Sequence, residues 1–133
     1  MVRILWAEDS LQDRQLIREA LVDIPEAPRV TFVADGMQIL EKAPHDQPSL
    51  IVLDLQMAGL GGLETLKRLR ADPATRHQDV VVFTSSDRPQ EMQECRRLGA
   101  RDCVQKPLDF ASFVGAVQRV IGPLGEARLE AAA

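Results

Sequence analysis

A chain of 133 residues, 45% hydrophobic and 27% charged, has the length and composition of one soluble globular domain. A net charge of −4 and 4% aromatic residues, with no Tyr, speak against non-specific nucleic-acid binding and base stacking. Two cysteines without CxxC or Cys/His spacing give no disulfide scaffold or zinc module, and no apolar run approaches the ~20 residues of a membrane span.

Ile4-Leu5-Trp6-Ala7 reads as a buried strand running into Glu8-Asp9. Ser10 with Asp13 three residues later predicts a capping box, and Ile17, Ala20, Leu21 and Ile24 give the helix its apolar stripe. Pro25 and Pro28 end it. Val30 to Val33 forms a second strand, and Asp35-Gly36 turns into a short helix carrying Met37, Ile39 and Leu40. A third strand, Leu50-Ile51-Val52-Leu53, closes on Asp54. Gly59, Gly61 and Gly62 predict a flexible loop before a helix with Leu63, Leu66 and Leu69, which Asp72-Pro73 stops. The fourth strand, Val80-Val81-Val82-Phe83, ends in Thr84. Ser85-Ser86-Asp87 then leads to a helix from about Pro89 to Leu98, closed by Gly99. The fifth strand covers about Asp102 to Gln105 and delivers Lys106. Beyond Pro107, the residues Phe110, Phe113, Val114, Val117 and Ile121 mark the last helix.

This fivefold alternation predicts a wound α/β domain with a parallel sheet over residues 2–122, followed by a tail over 123–133. The N-terminus enters a strand directly, which predicts no signal peptide. Cys95 and Cys103 read as reduced thiols in or near the core of a cytoplasmic protein.

In open α/β sheets, ligands bind beyond the carboxyl ends of the strands. Glu8, Asp9, Asp54, Thr84 and Lys106 all fall at those ends. The common 2-1-3-4-5 order makes the first and third strands neighbours, which brings Glu8, Asp9 and Asp54 together. Two carboxylates ~4 Å apart repel by roughly 4 kcal/mol at an effective dielectric of about 20, so such a cluster calls for a cation. Oxygen ligands from one or two carboxylates suit Mg²⁺. A phosphoryl group arriving at Asp54 would meet a metal, the Lys106 ammonium and the Thr84 hydroxyl, with Asp54 as the attacking carboxylate. The plainer alternative is that Glu8 and Asp9 only cap the first helix at its positive end.

Taken together, the motifs resemble a response-regulator receiver domain of two-component signalling. The matching pieces are Glu8-Asp9-Ser10, Asp54-Leu55-Gln56-Met57 with Gly62, Thr84-Ser85-Ser86, and Gly99 through Lys106-Pro107. The resemblance covers about residues 2 to 121 and implies a flavodoxin-like doubly wound (βα)5 fold with sheet order 2-1-3-4-5. That order is itself a family property and counts only once. Asp54 corresponds to the phosphoacceptor. Asp9, Asp54 and the Gln56 carbonyl correspond to the Mg²⁺ ligands, with Glu8 nearby through water. Lys106 and Thr84 correspond to the residues that meet the phosphoryl oxygens. The resemblance also implies a cis peptide at Lys106-Pro107.

Departures from the family pattern stand out as well. Cys103 occupies the position of the usual aromatic switch, so coupling from Thr84 must run differently. Ala58 replaces a common Pro, and Gln56 and Ser86 flank the expected approach of hydrolytic water. The implied role is a stand-alone phosphoacceptor, not an enzyme, served by a sensor histidine kinase or a phosphotransfer protein. The Thr84-Ser85-Ser86 and Ala71-Asp72-Pro73 stretches point to a phytochrome-type kinase. The responsive face is expected on the fourth helix, fifth strand and fifth helix. There Glu91, Glu94, Arg96, Arg97, Arg101 and Asp102 could support a homodimer. No DNA-binding domain and no membrane contact are expected. The nearest enzyme alternative, a haloacid-dehalogenase-like phosphatase, wants a second Asp where Gln56 stands. A phosphorylation-independent adaptor is the third reading.

Overall fold

Five apolar runs become five parallel strands, each followed by a helix. The structure, a computed structural model, describes residues 2–132, with side chains to residue 122. In chain order the elements are β1 (Arg3–Ala7), α1 (Leu11–Leu21), β2 (Arg29–Val33), α2 (Gly36–Asp46) and β3 (Leu50–Leu53). They continue with α3 (Gly62–Ala71), β4 (Val80–Thr84), α4 (Pro89–Arg97), β5 (Asp102–Gln105) and α5 (Phe110–Ala132). The sheet order is β2-β1-β3-β4-β5, as the flavodoxin-like reading requires. The side chains of the tail expected over 123–133 lie outside the described residues.

Alternation along the strands sorts side chains to two faces. Ile4, Trp6, Leu50, Val52, Val81, Phe83 and Val104 pack with α1 and α5. Leu5, Ala7, Ile51, Leu53, Val80, Val82 and Cys103 pack with α2, α3 and α4. Strands β3 and β4 are buried along their whole length, which is why their sequences are unbroken aliphatic runs rather than alternating ones. Edge strand β2 alternates instead. Trp6 meets Phe83 edge-on at 5.9 Å, and Phe83 meets Phe113 at 5.5 Å, tying the centre of the sheet to α5.

The helix ends follow their cap chemistry with three corrections. The Ser10 hydroxyl accepts from the Asp13 N–H at 3.1 Å, but the Asp13 carboxylate does not return to the Ser10 N–H. That N–H goes to Glu8 Oε2 at 3.2 Å, and Asp13 makes a stronger charge-assisted contact elsewhere. Helix α2 is not short: it runs eleven residues through Pro44, with Ile39 buried and Met37 exposed. The glycine loop before α3 is partly a packing constraint, not only a flexible link. A Cβ on Gly62 would lie 2.3 Å from the Asp54 carbonyl oxygen and 2.8 Å from Leu55 Cα. Gly99, by contrast, has φ +83°, the left-handed conformation that closes α4.

Candidate functional site

Pairing in register sets up the site. Ile4 pairs with Leu50, Leu5 with Ile51 and Trp6 with Val52, a constant offset that carries on to Glu8 and Asp54 just past the strand ends. Glu8 continues the alternation of Ile4 and Trp6, Asp54 that of Leu50 and Val52, and Lys106 that of Val104. All three therefore project toward α1 and α5. The Lys106 N–H donates to the Thr84 carbonyl at 2.7 Å, which holds the end of β5 against β4.

There the Lys106 ammonium donates to Glu8 Oε1 at 2.6 Å, to Asp54 Oδ2 at 2.9 Å and to Asp13 Oδ2 at 2.9 Å. Its Nζ also lies 5.8 Å from the Phe83 ring centroid. Glu8 is 1% exposed and Asp54 4%. Each carboxylate has a backbone partner as well: Ser10 N–H for Glu8, and Gln56 N–H at 3.0 Å for Asp54 Oδ1. The Asp54 carboxylate is thus fixed at both oxygens.

Burial pushes the Glu8 carboxyl above its ordinary range, against the pull of Lys106 and the Ser10 N–H. For Lys106, burial works to lower the ammonium, but the charge of Asp54 and the bonds to Glu8, Asp13 and Asp54 outweigh it and hold Lys106 above the usual lysine value. The two partners respond differently for a simple reason. Lys106 has three carboxylates around it, whereas Glu8 shares one ammonium with two other acids and has lost its water. Three carboxylates on one ammonium leave a net negative site.

Asp9 is exposed at the same rim, and its carboxylate has no hydrogen bond or ion pair among the described residues. Among the described residues, no group of three His, Cys, Asp or Glu side chains is arranged to hold a metal ion, since the three acids that do converge meet the Lys106 ammonium. The expected trio of Glu8, Asp9 and Asp54 is therefore not a ready-made cage, because Lys106 holds the space between Glu8 and Asp54. A hard cation that keeps several waters needs only one or two carboxylates. Asp9 and Asp54, both all-oxygen donors beside uncompensated negative charge, fit that requirement.

The remaining predicted residues lie away from this cluster, Thr84 and Cys103 on the opposite face of the sheet and Gln56 in the loop after β3. Thr84 is fully buried and shares its face with Val80 and Val82, and its hydroxyl oxygen accepts from the Ser86 N–H at 3.2 Å. Cys103 points to α4, its thiol 3.9 Å from the Met92 carbonyl oxygen. The Gln56 side chain is exposed and accepts from the Ser85 hydroxyl at 3.1 Å, linking the loops after β3 and β4. Lys106-Pro107 is trans, contrary to the expected cis bond; trans is the form favoured by ~0.5–1 kcal/mol in X–Pro peptides.

Sequence reasoning missed Asp13 as a site residue. Its signal was there: an acid in the first turn of α1, directly above the strand ends. It was absorbed into the capping reading. Beside it opens a cavity of about 350 Å³ lined in part by Asp13, Ser85, Lys106, Leu108 and Phe110. Leu11, Leu108 and Phe110 around this end are exposed apolar residues.

Comparison with known proteins agrees with this geometry. Residues 4–118 match the response regulator receiver domain model. Response regulator PleD of Caulobacter vibrioides is 34% identical over 107 residues, 80% of this chain but 23% of that protein, so the chain spans under a quarter of its length. The phosphorylated cyanobacterial phytochrome response regulator RcpA superposes with a TM-score of 0.80 at 26% identity, covering 90% of this chain and 91% of that one. The receiver domain of sensor histidine kinase PA1611 from Pseudomonas aeruginosa PAO1, with magnesium in its active site cleft, gives 0.72 at 27% identity, covering 91% and 98%. With the site's acids and lysine assembled on one rim of a 2-1-3-4-5 sheet, and a family match across most of its length, the chain belongs to the response regulator receiver domain family of two-component signalling.

Proposed function

We propose that this receiver domain takes a phosphoryl group from a partner histidine kinase, or from a phosphotransfer protein, onto Asp54 in a Mg²⁺-dependent step. The observation that carries the reading is the Asp54 carboxylate itself, buried at the rim and oriented by the Gln56 N–H on one oxygen and Lys106 on the other. An Asp54 oxygen attacks phosphorus, the bond from phosphorus to the donor's nitrogen breaks, and an acyl phosphate remains on the chain. Asp9, Asp54 and the Gln56 backbone carbonyl would hold the metal, which supplies positive charge for the phosphoryl oxygens. Lys106 turns its ammonium from the Asp54 carboxylate toward the new phosphoryl oxygens, while Glu8 and Asp13 keep it charged and in place. The magnesium reported for the PA1611 receiver domain supports the choice of metal.

The chain acts as a phosphoacceptor that promotes only its own phosphorylation and dephosphorylation, not as an enzyme on separate substrates. The likeness to RcpA supports a phytochrome-type kinase as the donor. Leu11, Leu108 and Phe110 offer such a partner an apolar rim beside the acceptor. No described helix is long and apolar enough to cross a membrane, and we place the protein in the cytoplasm.

The relay face is α4, β5 and α5. Its charges are largely paired within the chain: Glu94 with Arg97, Arg101 with Asp79, Asp102 with Arg119, and Glu91 with Arg88 and Ser86. A homodimer through this face would find few free charges, so it reads as a surface for another protein. The test is phosphotransfer from labelled histidine kinases with and without Mg²⁺. Label should reach wild type with the metal and fail to reach Asp54→Asn; transfer that survives the substitution would overturn the assignment.

A further inference from the structure

Of the three carboxylates around Lys106, Asp13 is the one that reaches solvent. Its side chain is 28% exposed, against 1% for Glu8 and 6% for Asp54. It stands in the first turn of α1, and its Oδ2 accepts from Lys106 Nζ at 2.9 Å. The cavity of about 350 Å³ opens beside this contact, and its charged lining is Asp13, Lys106 and Asp109. Lys106 has three N–H groups, and Glu8, Asp54 and Asp13 take one each. The neighbouring cation, Arg14, is turned elsewhere: it donates to the Glu8 carbonyl at 2.6 Å and lies over the Phe32 ring at 5.6 Å. An anion entering from the cavity therefore meets two acids and an ammonium whose hydrogens are already shared.

We propose that Asp13 is a specificity residue for the phosphodonor, an acid that slows transfer from small free acyl phosphates and reserves Asp54 for donors presented by a protein. The inference rests on Asp54 being the phosphoryl acceptor. With acetyl phosphate, an Asp54 oxygen attacks phosphorus, the bond from phosphorus to the acetyl oxygen breaks, and acetate leaves with the electron pair. Such a donor carries about two negative charges, and along the cavity wall it meets Asp13 before the buried acids. Like charge set against an unwanted ligand is one route to specificity. A protein donor holds its phosphoryl group within an interface, where contacts with Leu11, Leu108 and Phe110 offset the repulsion. A small donor has no such contacts. The role is carried by charge, not by the fold. Ser10 caps α1 through the backbone N–H of Asp13, which Asn or Glu would keep, and Glu8 at 2.6 Å still anchors Lys106.

The test measures initial rates of labelling by acetyl phosphate on the whole chain, read as intact mass after rapid quenching. Mg²⁺ is kept saturating for each variant, because removing an acid also weakens metal binding. At an ionic strength of about 0.05 M, Asp13→Asn should show a second-order rate constant about tenfold above wild type. At about 0.5 M the ratio should fall to about twofold, since salt screens charge at a partly exposed position and leaves a packing change untouched. Asp13→Glu keeps the charge and should stay within about twofold of wild type. Slower labelling of Asp13→Asn, a ratio that salt leaves unchanged, or an Asp13→Glu variant as fast as Asp13→Asn would each overturn the proposal. Label on Asp54→Asn would instead overturn the acceptor assignment beneath it. Equal rates for wild type and Asp13→Asn, with Asp54 still the labelled residue, would overturn this inference alone.

Discussion

Lys106 Nζ stands nearer to Glu8 Oε1, at 2.6 Å, than to Asp54 Oδ2, at 2.9 Å. Glu8 is therefore the anchor of the lysine, and Asp54 the partner it can release. Removing the ammonium should leave a buried carboxylate without compensation. Lys106→Met is expected to lower stability by about 3–5 kcal/mol at pH 7 in urea denaturation. The loss should shrink in acid, where Glu8 takes up a proton.

The pH dependence has a defined sign. Burial holds the Glu8 carboxyl above its ordinary value of 4.5, so the native chain keeps that proton more firmly than the unfolded one. The stability this brings is complete below 4.5 and lost as pH rises through the native value. Glu8→Gln fixes the neutral form. Its urea midpoint relative to wild type should therefore climb as pH rises above 4.5; a constant difference would contradict the assignment.

Gly62 lets α3 start directly against the backbone of Asp54. A methyl group there meets the Asp54 carbonyl oxygen at 2.3 Å, and backbone cannot yield as a flexible side chain does. Gly62→Ala should cost about 2–3 kcal/mol and shift the Asp54 amide resonance in an NMR spectrum.

Arg70 holds the far end of the molecule. Its guanidinium donates to the carbonyls of Arg76, Gln78, Leu98 and Gly99, fastening α3 to the C-terminal end of α4 and to the approach of β4. Arg70→Ala should lower stability by about 2–4 kcal/mol. Arg70→Lys should recover little of it, since an ammonium cannot span four acceptors as a planar fork does.

Net negative charge around Asp54 makes a metal effect measurable without phosphate. Millimolar Mg²⁺ should raise the Tm of wild type, because binding to the folded state alone stabilises it. Asp9→Asn should lose that rise. It should also be the more stable protein in metal-free buffer, having one fewer repelling carboxylate.

The five strands, the five helices and the rim were legible because unbroken aliphatic runs and their terminal polar residues fix strand ends within a residue or two; the sheet order came from the family resemblance, since such runs carry no information on which strands are neighbours. Alternation carries further than it was taken. Counting by twos from Trp6, Val52 and Val104 puts Glu8, Asp54 and Lys106 on one face, and from Val82 it puts Thr84 on the other. What sequence could not show is competition for partners. Ser10 and Asp13 have capping spacing, yet a buried ammonium outbids a backbone N–H for Asp13, and only three-dimensional proximity reveals that. The length of α2 was hidden by Pro44, which reads as a breaker but sits near the end of the helix. Gly62 looked like freedom because a missing side chain gives the same letter whether space is open or closed.

The most direct measurement is intact and peptide mass spectrometry after incubation with acetyl phosphate and Mg²⁺. One phosphoryl group should appear, mapped by borohydride reduction to Asp54, and none when Asp54 is changed to Asn or the metal is chelated. A phosphoryl group found on another residue, or an unmodified chain under conditions that label a control receiver, would contradict the account.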